Sequence, residues 1–551
     1  MNGAELIVDT LIKNGVKYVF QLPGGKSGPI LMALKDREKE INVVTARHEQ
    51  NAGFMAQGIG RLTGKPGVVL TTAGPGALNI TTALATATSD GDPVIAISGQ
   101  VAQNQLYTPT PQNPNIASVM NDSTVTKYSK ELEHVDVLSD EIGNAFVTSI
   151  NGHPGAVFMS IPINILLSNT DKVGTDFSNI VKQINTSVSS SQNFINAQKL
   201  IMESKKPVIV IGARAANEVS SQAINKLVKT THMPVVETSE ATGTLGLEFQ
   251  ENYVGRLGFF NNTSANKLIV DSDLVISIGL DVVEYSNVDK KNTDKLIDID
   301  SFLDHIDEYY LPDVFISGNI ALNVELLTGY LNRFSLNKNW QNKIKILQKK
   351  WDSEKQLPDV INDKAIHPLE IIDSLQNIID KNPDTTVVTD GGSHEVWIGG
   401  YLNVPKPNHY LASNGQQTLG VGLPWAISAA LLRPDEKILS SAGDGSFMFS
   451  SQELSTVKHY NLNILQIIWV DKEYNMVEFQ QELDYNGKSE GVDIDYINYK
   501  ELSESFGIKA KRVHTKKQLD DALKEAYSFN GPMVIEIIED NRDNNKLRLN
   551  K

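Results

Sequence analysis

Cysteine is absent from this chain of 551 residues. That excludes disulfides, thiol nucleophiles and thiolate metal sites, and it agrees with a reducing, cytoplasmic setting. Positive charge is scarce as well: 50 Lys and Arg stand against 66 Asp and Glu, a formal charge of −16, and no block of basic residues is sustained. This balance argues against a nucleic-acid or anionic-membrane partner, since both reward clustered basic surface. Long apolar runs are missing too, and none approaches the ~20 residues a membrane span requires. The opening residues Met1-Asn2-Gly3-Ala4-Glu5-Leu6 put an acid where a secretory leader is basic, so no signal peptide is expected. The composition points to a soluble cytoplasmic protein with several cores, because 551 residues exceed what one core serves.

What is present is alternation. Short apolar strands alternate with amphipathic helices, the pattern of parallel α/β sheets. Ile41-Asn42-Val43-Val44, Val68-Val69-Leu70, Val94-Ile95-Ala96-Ile97 and Val157-Phe158-Met159-Ser160-Ile161 form a first series. The polar stretch 169–193 reads as a linker. A second series runs through Pro207-Val208-Ile209-Val210-Ile211-Gly212, Pro234-Val235-Val236-Glu237, Leu274-Val275-Ile276-Ser277-Ile278-Gly279 and Leu296-Ile297-Asp298-Ile299-Asp300. A charged helical segment, 337–354, connects to a third series. That one carries Thr386-Val387-Val388-Thr389-Asp390, Ile438-Leu439-Ser440-Ser441-Ala442, Ile464-Leu465-Gln466-Ile467-Ile468-Trp469-Val470 and Pro532-Met533-Val534-Ile535-Glu536-Ile537-Ile538. The expected architecture is three α/β domains with doubly wound parallel sheets, spanning 1–170, 190–335 and 365–540.

The chemistry is concentrated at strand ends. Gly443-Asp444-Gly445-Ser446 follows one predicted buried strand, and Asp471 ends the next, 27 positions on. Ligands of open α/β sheets bind at that edge. Two carboxylates there, with backbone amides freed by glycine, suit a hard cation holding a diphosphate, and the Glu473 carbonyl is a plausible third ligand. Gly391-Gly392-Ser393-His394 makes another glycine-rich strand-to-helix turn able to receive phosphate oxygens. The plainer reading of Asp444 is a helix cap after a tight turn, and the matching strand-end Asp471 counts against it. Glu49, in Thr45-Ala46-Arg47-His48-Glu49-Gln50, is either a helix-start carboxylate favoured by the macrodipole or a partly buried acid serving a cofactor. Thr71-Thr72-Ala73-Gly74-Pro75-Gly76-Ala77 forms a second tight loop beside it.

Together these motifs resemble the thiamine-diphosphate enzymes of the pyruvate oxidase and acetohydroxyacid synthase superfamily, and most of all the FAD-independent catabolic acetolactate synthases. Arg47-His48-Glu49-Gln50-Asn51, Gly74-Pro75-Gly76 and Gly443-Asp444-Gly445 carry the likeness. So do Gly60-Arg61-Leu62-Thr63-Gly64-Lys65-Pro66-Gly67, Thr126-Lys127-Tyr128-Ser129 and Tyr253-Val254-Gly255-Arg256-Leu257-Gly258-Phe259-Phe260. Ser413-Asn414-Gly415, Gln417-Thr418-Leu419-Gly420 and Leu423-Pro424-Trp425-Ala426-Ile427 complete it. The resemblance implies pyrimidine-binding, central and diphosphate-binding domains, and condensation of two pyruvates to 2-acetolactate and carbon dioxide. It implies that Glu49 hydrogen-bonds the cofactor's aminopyrimidine, and that Asp444, Asp471 and the Glu473 carbonyl hold magnesium. Further cofactor contacts are implied at Gly25, Pro75, Asn79, Gly392, Ser393, His394, Gln417, Gly443, Gly445, Ser446, Tyr474, Asn475 and Met476. Leu419 stands at the apolar wedge that bends the cofactor. Lys26, Gln112 and Gln480 are candidates for pyruvate contact. The superfamily pairs Glu49 and Asp444 across a subunit boundary, so a homodimer or dimer of dimers is implied.

Several positions depart from the pattern: Gln21 replaces a usual glycine, Val470 an asparagine and Gln416 a methionine. Pro111-Gln112 replaces His-Gln, and Gln105-Leu106-Tyr107-Thr108-Pro109 replaces a basic segment. The cofactor residues are intact while the substrate-facing loop is altered, so another decarboxylase or carboligase on the same cofactor stays open. A flavin oxidase would need a middle-domain fingerprint that Gly212-Ala213-Arg214-Ala215 lacks, so FAD is not expected. A non-catalytic relative is disfavoured by retention of Glu49 and both aspartates.

Overall fold

The computed structural model describes residues 1–106, 108–112, 115–180, 186–257, 264–284, 294–303, 310–354 and 364–542. Tyr107 and Gly258-Phe259-Phe260, quoted above, lie outside these residues, as do 181–185 of the expected linker. Three six-stranded sheets with interspersed helices make up the chain. The first contains β1 (Tyr18–Gln21), β2 (Asn42–Thr45), β3 (Gly67–Thr71), β4 (Val94–Gln100), β5 (Tyr128–Glu131) and β6 (Ala156–Pro162), in the order β2-β1-β3-β4-β6-β5. The second contains β7 (Pro207–Ile211), β8 (Val235–Glu237), β9 (Tyr253–Arg256), β10 (Leu274–Ile278), β11 (Leu296–Asp300) and β12 (Val314–Ser317), in the order β12-β11-β10-β7-β8-β9. The third contains β13 (Thr386–Thr389), β14 (Tyr410–Leu411), β15 (Ile438–Gly443), β16 (Ile464–Val470), β17 (Lys509–Val513) and β18 (Met533–Ile538), in the order β14-β13-β15-β16-β18-β17. The strand pairs are parallel.

The first and third sheets share one topology, counting strands within each: 2-1-3-4-6-5. The second has the 3-2-1-4-5-6 order of dinucleotide-binding sheets. The strand order reverses between β1 and β3, β7 and β10, or β13 and β15; in the first and third sheets it turns again at the edge, where the fifth strand lies outside the sixth. Strands β3, β4, β6, β7, β10 and β16 are buried along their whole length. Burial on both faces is why they read as continuous apolar runs rather than as alternating ones. No helix of the described residues is long and apolar enough to cross a membrane.

By packing, the chain divides into two compact units. One gathers Met1–Ile184, Gly415–Asp435 and Phe447–Ile464; the other gathers Asn185–Asn414, Glu436–Ser446 and Leu465–Lys551. Within the first unit, the helix Gly422–Leu432 lies against the helix Glu49–Thr63. The Ser428 hydroxyl donates to the Met55 carbonyl at 2.6 Å, and the Arg61 guanidinium sits 4.8 Å over the Trp425 ring. Small residues make the contact possible: a Cβ at Gly58 would come within 2.9 Å of the Ser428 side chain. The polar stretch 169–193 is not a free linker at its start. Lys13 Nζ and Asn14 Nδ2 donate to the carbonyls of Gly174 and Thr175, and a Cβ at Gly143 would strike the Phe177 ring. In the second unit the charged helix Lys338–Glu354 buries Trp340, Ile344 and Leu347 in the core of the second sheet, with Trp340 Nε1 donating to the Pro207 carbonyl at 3.0 Å.

Candidate active site

The first unit supplies one group of site residues at the reversal point of its sheet. Glu49 is buried at the first position of the helix Glu49–Thr63, directly after β2. His48 caps that helix, its Nδ1 accepting from the Gln50 N–H at 3.2 Å. Asn79 Nδ2 donates to Glu49 Oε2 at 3.0 Å. Asn79 ends the short helix Pro75–Asn79, which the chain enters through Gly74 at φ +67°, a left-handed value that favours glycine. On the neighbouring strand end, the Lys26 N–H donates to Thr72 Oγ1 at 3.2 Å, and a Cβ at Gly24 would strike Thr72. Glu49, Asn79 and the glycine turn are therefore brought together. Gly25 is exposed beside Lys26, whose described contacts are through its backbone. Gln112 is exposed and left-handed at φ +61°, with its Cα 3.0 Å from where a Gly74 Cβ would be.

Gln417 and Leu419 also belong to the first unit. Asp90 Oδ1 accepts the N–H groups of Gly415 (2.9 Å) and Gln416 (3.3 Å), and the hydroxyls of Thr86 and Thr418 are 2.8 Å apart. Between these anchors Gln417 is held left-handed at φ +51°. Leu419 is half-buried, so it is not a core leucine.

The second unit supplies the other group at the reversal point of the third sheet. After β13 the chain turns through Gly392 at φ +147° into the helix Ser393–Tyr401. His394 is fully buried and its Nε2 has no hydrogen-bond partner; burial lowers its pKa to about 3, so the imidazole is neutral. After β15, Asp444 Oδ1 accepts from the Gly445 N–H at 2.8 Å and Oδ2 from the Lys472 N–H at 2.9 Å. Burial nonetheless pushes the Asp444 carboxyl up to about 6. Ser446 Oγ reaches the Gly443 carbonyl at 3.3 Å, and a Cβ at Gly445 would strike the Tyr474 ring at 2.6 Å. Asp471 ends β16, its Oδ1 accepting from the Glu473 N–H at 3.2 Å. Its pKa is raised, first by desolvation and then by the charges of Glu539 and Asp444. Lys472 between them is left-handed at φ +69°, which is how a backbone N–H turns back to Asp444. Asn475 and Met476 are half-buried in the first turn of the helix Asn475–Asp484, and Gln480 is exposed further along it. No three His, Asp or Glu side chains converge to hold a metal by themselves among the described residues.

Three residues escaped the sequence reading. Glu539 adds negative charge beside Asp471, and the Tyr499 hydroxyl donates to the Asp444 carbonyl at 3.2 Å. Glu453 is fully buried and bonded to both flanks of Glu49. Only the last left a trace in sequence, as a lone acid inside a stretch of apolar and hydroxyl residues.

Comparison with known proteins finds three thiamine pyrophosphate enzyme domains: the N-terminal TPP binding domain at 1–119, the central domain at 195–327 and the C-terminal TPP binding domain at 390–537. The chain is 37% identical over 556 residues to an acetolactate synthase of Bacillus subtilis (strain 168), covering 100% of this chain and 95% of that protein. It is 34% identical to a catabolic acetolactate synthase of Raoultella terrigena, over 98% of this chain and 96% of that one. Against acetolactate synthase isozyme 2 large subunit of Escherichia coli (strain K12) the identity is 29%, over 99% and 96%.

Proposed function

Since the chain belongs to the acetolactate synthase family of thiamine pyrophosphate enzymes, we propose that it joins two pyruvates into 2-acetolactate with release of carbon dioxide, using thiamine diphosphate and magnesium. The observation that carries this reading is end-to-end identity with acetolactate synthases, combined with the buried Glu49 and the two strand-end aspartates. We propose domains at 1–170, 190–335 and 365–540, each enclosing one sheet.

The residues present suit the cofactor. Asp444 and Asp471 gather negative charge that burial and mutual repulsion penalise, and a divalent cation relieves that penalty. The unpartnered His394 Nε2 suits a polar ligand at close quarters, and Gly445 lets the Tyr474 ring pack against the turn beside Asp444. Asp444, Asp471 and the Glu473 carbonyl would hold magnesium. Gly392, Ser393, His394, Gly443, Gly445, Ser446, Tyr474, Asn475 and Met476 would surround the diphosphate. Gly25, Pro75, Asn79, Gln417 and Leu419 would meet the rest of the molecule. Thiamine diphosphate supplies the electron sink for decarboxylation. Glu49 would hydrogen-bond the ring nitrogen, its carboxyl oriented by the Asn79 amide. Lys26, Gln112 and Gln480 would receive pyruvate.

Flavin is not part of the reading. Arg214 lies at the reversal point of the central sheet, where a dinucleotide would bind, and is ion-paired to Asp281 and Asp300. The site is completed by a second copy, one contributing Glu49 and the other Asp444. The test is incubation with pyruvate, thiamine diphosphate and magnesium, followed by acidification. Acetoin, derived from acetolactate, is expected; acetaldehyde alone would overturn the reading in favour of a decarboxylase.

A further inference from the structure

Glu453 has no part in the chemistry above, yet it is completely buried at the end of the 3₁₀ turn Ser451–Glu453. Its Oε1 accepts two hydrogen bonds, from the Arg47 N–H at 2.8 Å and from Asn51 Nδ2 at 3.0 Å. Its Oε2 accepts the Thr456 hydroxyl at 2.6 Å. Arg47 and Asn51 stand two positions before and two after Glu49. One oxygen thus ties both ends of the five-residue stretch that has Glu49 at its centre. The same segment grips the approach to that stretch: Arg47 Nε donates to Ser455 Oγ at 3.0 Å, and the Tyr460 hydroxyl receives the Thr45 N–H at 3.3 Å.

An apolar residue of similar volume would fill such a position without the desolvation cost of a buried carboxyl. A polar acceptor is required where several donors must be fixed in one place. Here the donors fixed are those that set the strand-to-helix junction carrying Glu49, and a misplacement of about 1 Å at a reacting group costs on the order of a hundredfold in rate. We propose that Glu453 is a positioning residue that locks residues 47–51 so that the Glu49 carboxyl meets the ring nitrogen of the cofactor. This rests on the role given to Glu49 above.

The test compares the dissociation constants of thiamine diphosphate and of an analogue whose pyrimidine ring nitrogen is replaced by CH, both with magnesium. The wild-type chain is expected to favour the natural cofactor by about tenfold or more, the value of a charge-assisted hydrogen bond. Glu49→Ala should abolish that preference. Glu453→Ala should cut it by about fivefold or more, and Asn51→Ala, which removes one donor and leaves the Arg47 and Thr456 bonds in place, by about twofold. Glu453→Gln should keep it within about twofold, because the amide oxygen can accept both donors and the amide N–H can donate to Thr456. If Glu49→Ala leaves the preference intact, the role given to Glu49 fails. If Glu49→Ala abolishes it while Glu453→Ala and Asn51→Ala retain it, the positioning role is overturned. Collapse in Glu453→Gln to the level of Glu453→Ala also overturns it. Should Glu453→Ala fail to fold, Asn51→Ala and Glu453→Gln decide between these outcomes.

Discussion

At the edge of the central sheet Asp281 and Asp300 each meet Arg214, at 2.8 Å, with the Arg214 guanidinium also stacked 4.9 Å over Phe302. At the edge of the third sheet, in the same unit, Asp444 and Asp471 take backbone N–H groups instead; burial raises their pKa values as it raises that of Asp300, so the difference lies in the arginine. Both edges place a pair of carboxylates where α/β sheets bind ligands. One pair is neutralised from within the chain, and the other takes backbone donors, which suits the magnesium proposed for it. An internal arginine turns a ligand edge into structure, whereas glycine turns and backbone donors leave one ready for cofactor.

That contrast can be broken by substitution. Arg214→Leu should cost about 3–5 kcal/mol in urea unfolding of the chain without cofactor, because it removes the guanidinium that pairs with two buried carboxylates. Asp444→Asn should cost less, about 1–2 kcal/mol in the same measurement: it removes a penalised charge, but its amide can accept only one of the two backbone N–H groups that Asp444 holds. It should instead weaken magnesium-dependent binding of thiamine diphosphate by about a hundredfold, read by calorimetric titration. If Asp444→Asn unfolds the chain as severely as Arg214→Leu, the two edges are not different in kind.

A smaller effect comes from Glu237, at the end of β8, which burial raises to about 7 while it accepts the Leu245 N–H at 2.9 Å. Its folded pKa is above the ordinary carboxylate value, so the folded chain binds the extra proton between about pH 4.5 and 7. Stability contributed by that proton is full below the window and lost as pH rises through it. Glu237→Gln should flatten the fall by about 3 kcal/mol in unfolding curves taken across that range. Smallest of all, Leu419→Ala should cost under about 1 kcal/mol of stability, against the 2–5 of a core leucine, because it is half-buried. Its effect should appear in acetolactate formation, measured beside a thermal melt.

Central strands were legible in the sequence because burial on both faces makes them continuous apolar runs. β11 and β16 fall on the residues expected, and β4, β6, β10 and β15 within three residues at either end. Most edge strands were not; β2 is the exception, expected at 41–44 and found at Asn42–Thr45. β5, β9, β12, β14 and β17 each pair on one side only, and sequences such as Tyr128–Glu131 or Lys509–Val513 mix charge with apolar residues. β1 was missed, although β2 and β13, of the same four residues, were expected. Near the site, glycine turns and strand-end acids were readable, because few residues accept those conformations or that burial. Glu453 was not, since its meaning comes from Arg47 and Asn51, about 400 positions away in the chain.

The central claim, that Glu49 of one copy and Asp444 of another serve one cofactor, is tested most directly by mixing two inactive variants. Glu49→Gln and Asp444→Asn chains, unfolded together and refolded, should form mixed dimers holding one intact site and one doubly altered site. Recovery of about a quarter of wild-type acetolactate formation is the expected result, from half the dimers being mixed and half their sites intact. Mixtures that stay as inactive as the separate variants, while forming mixed dimers, would contradict it.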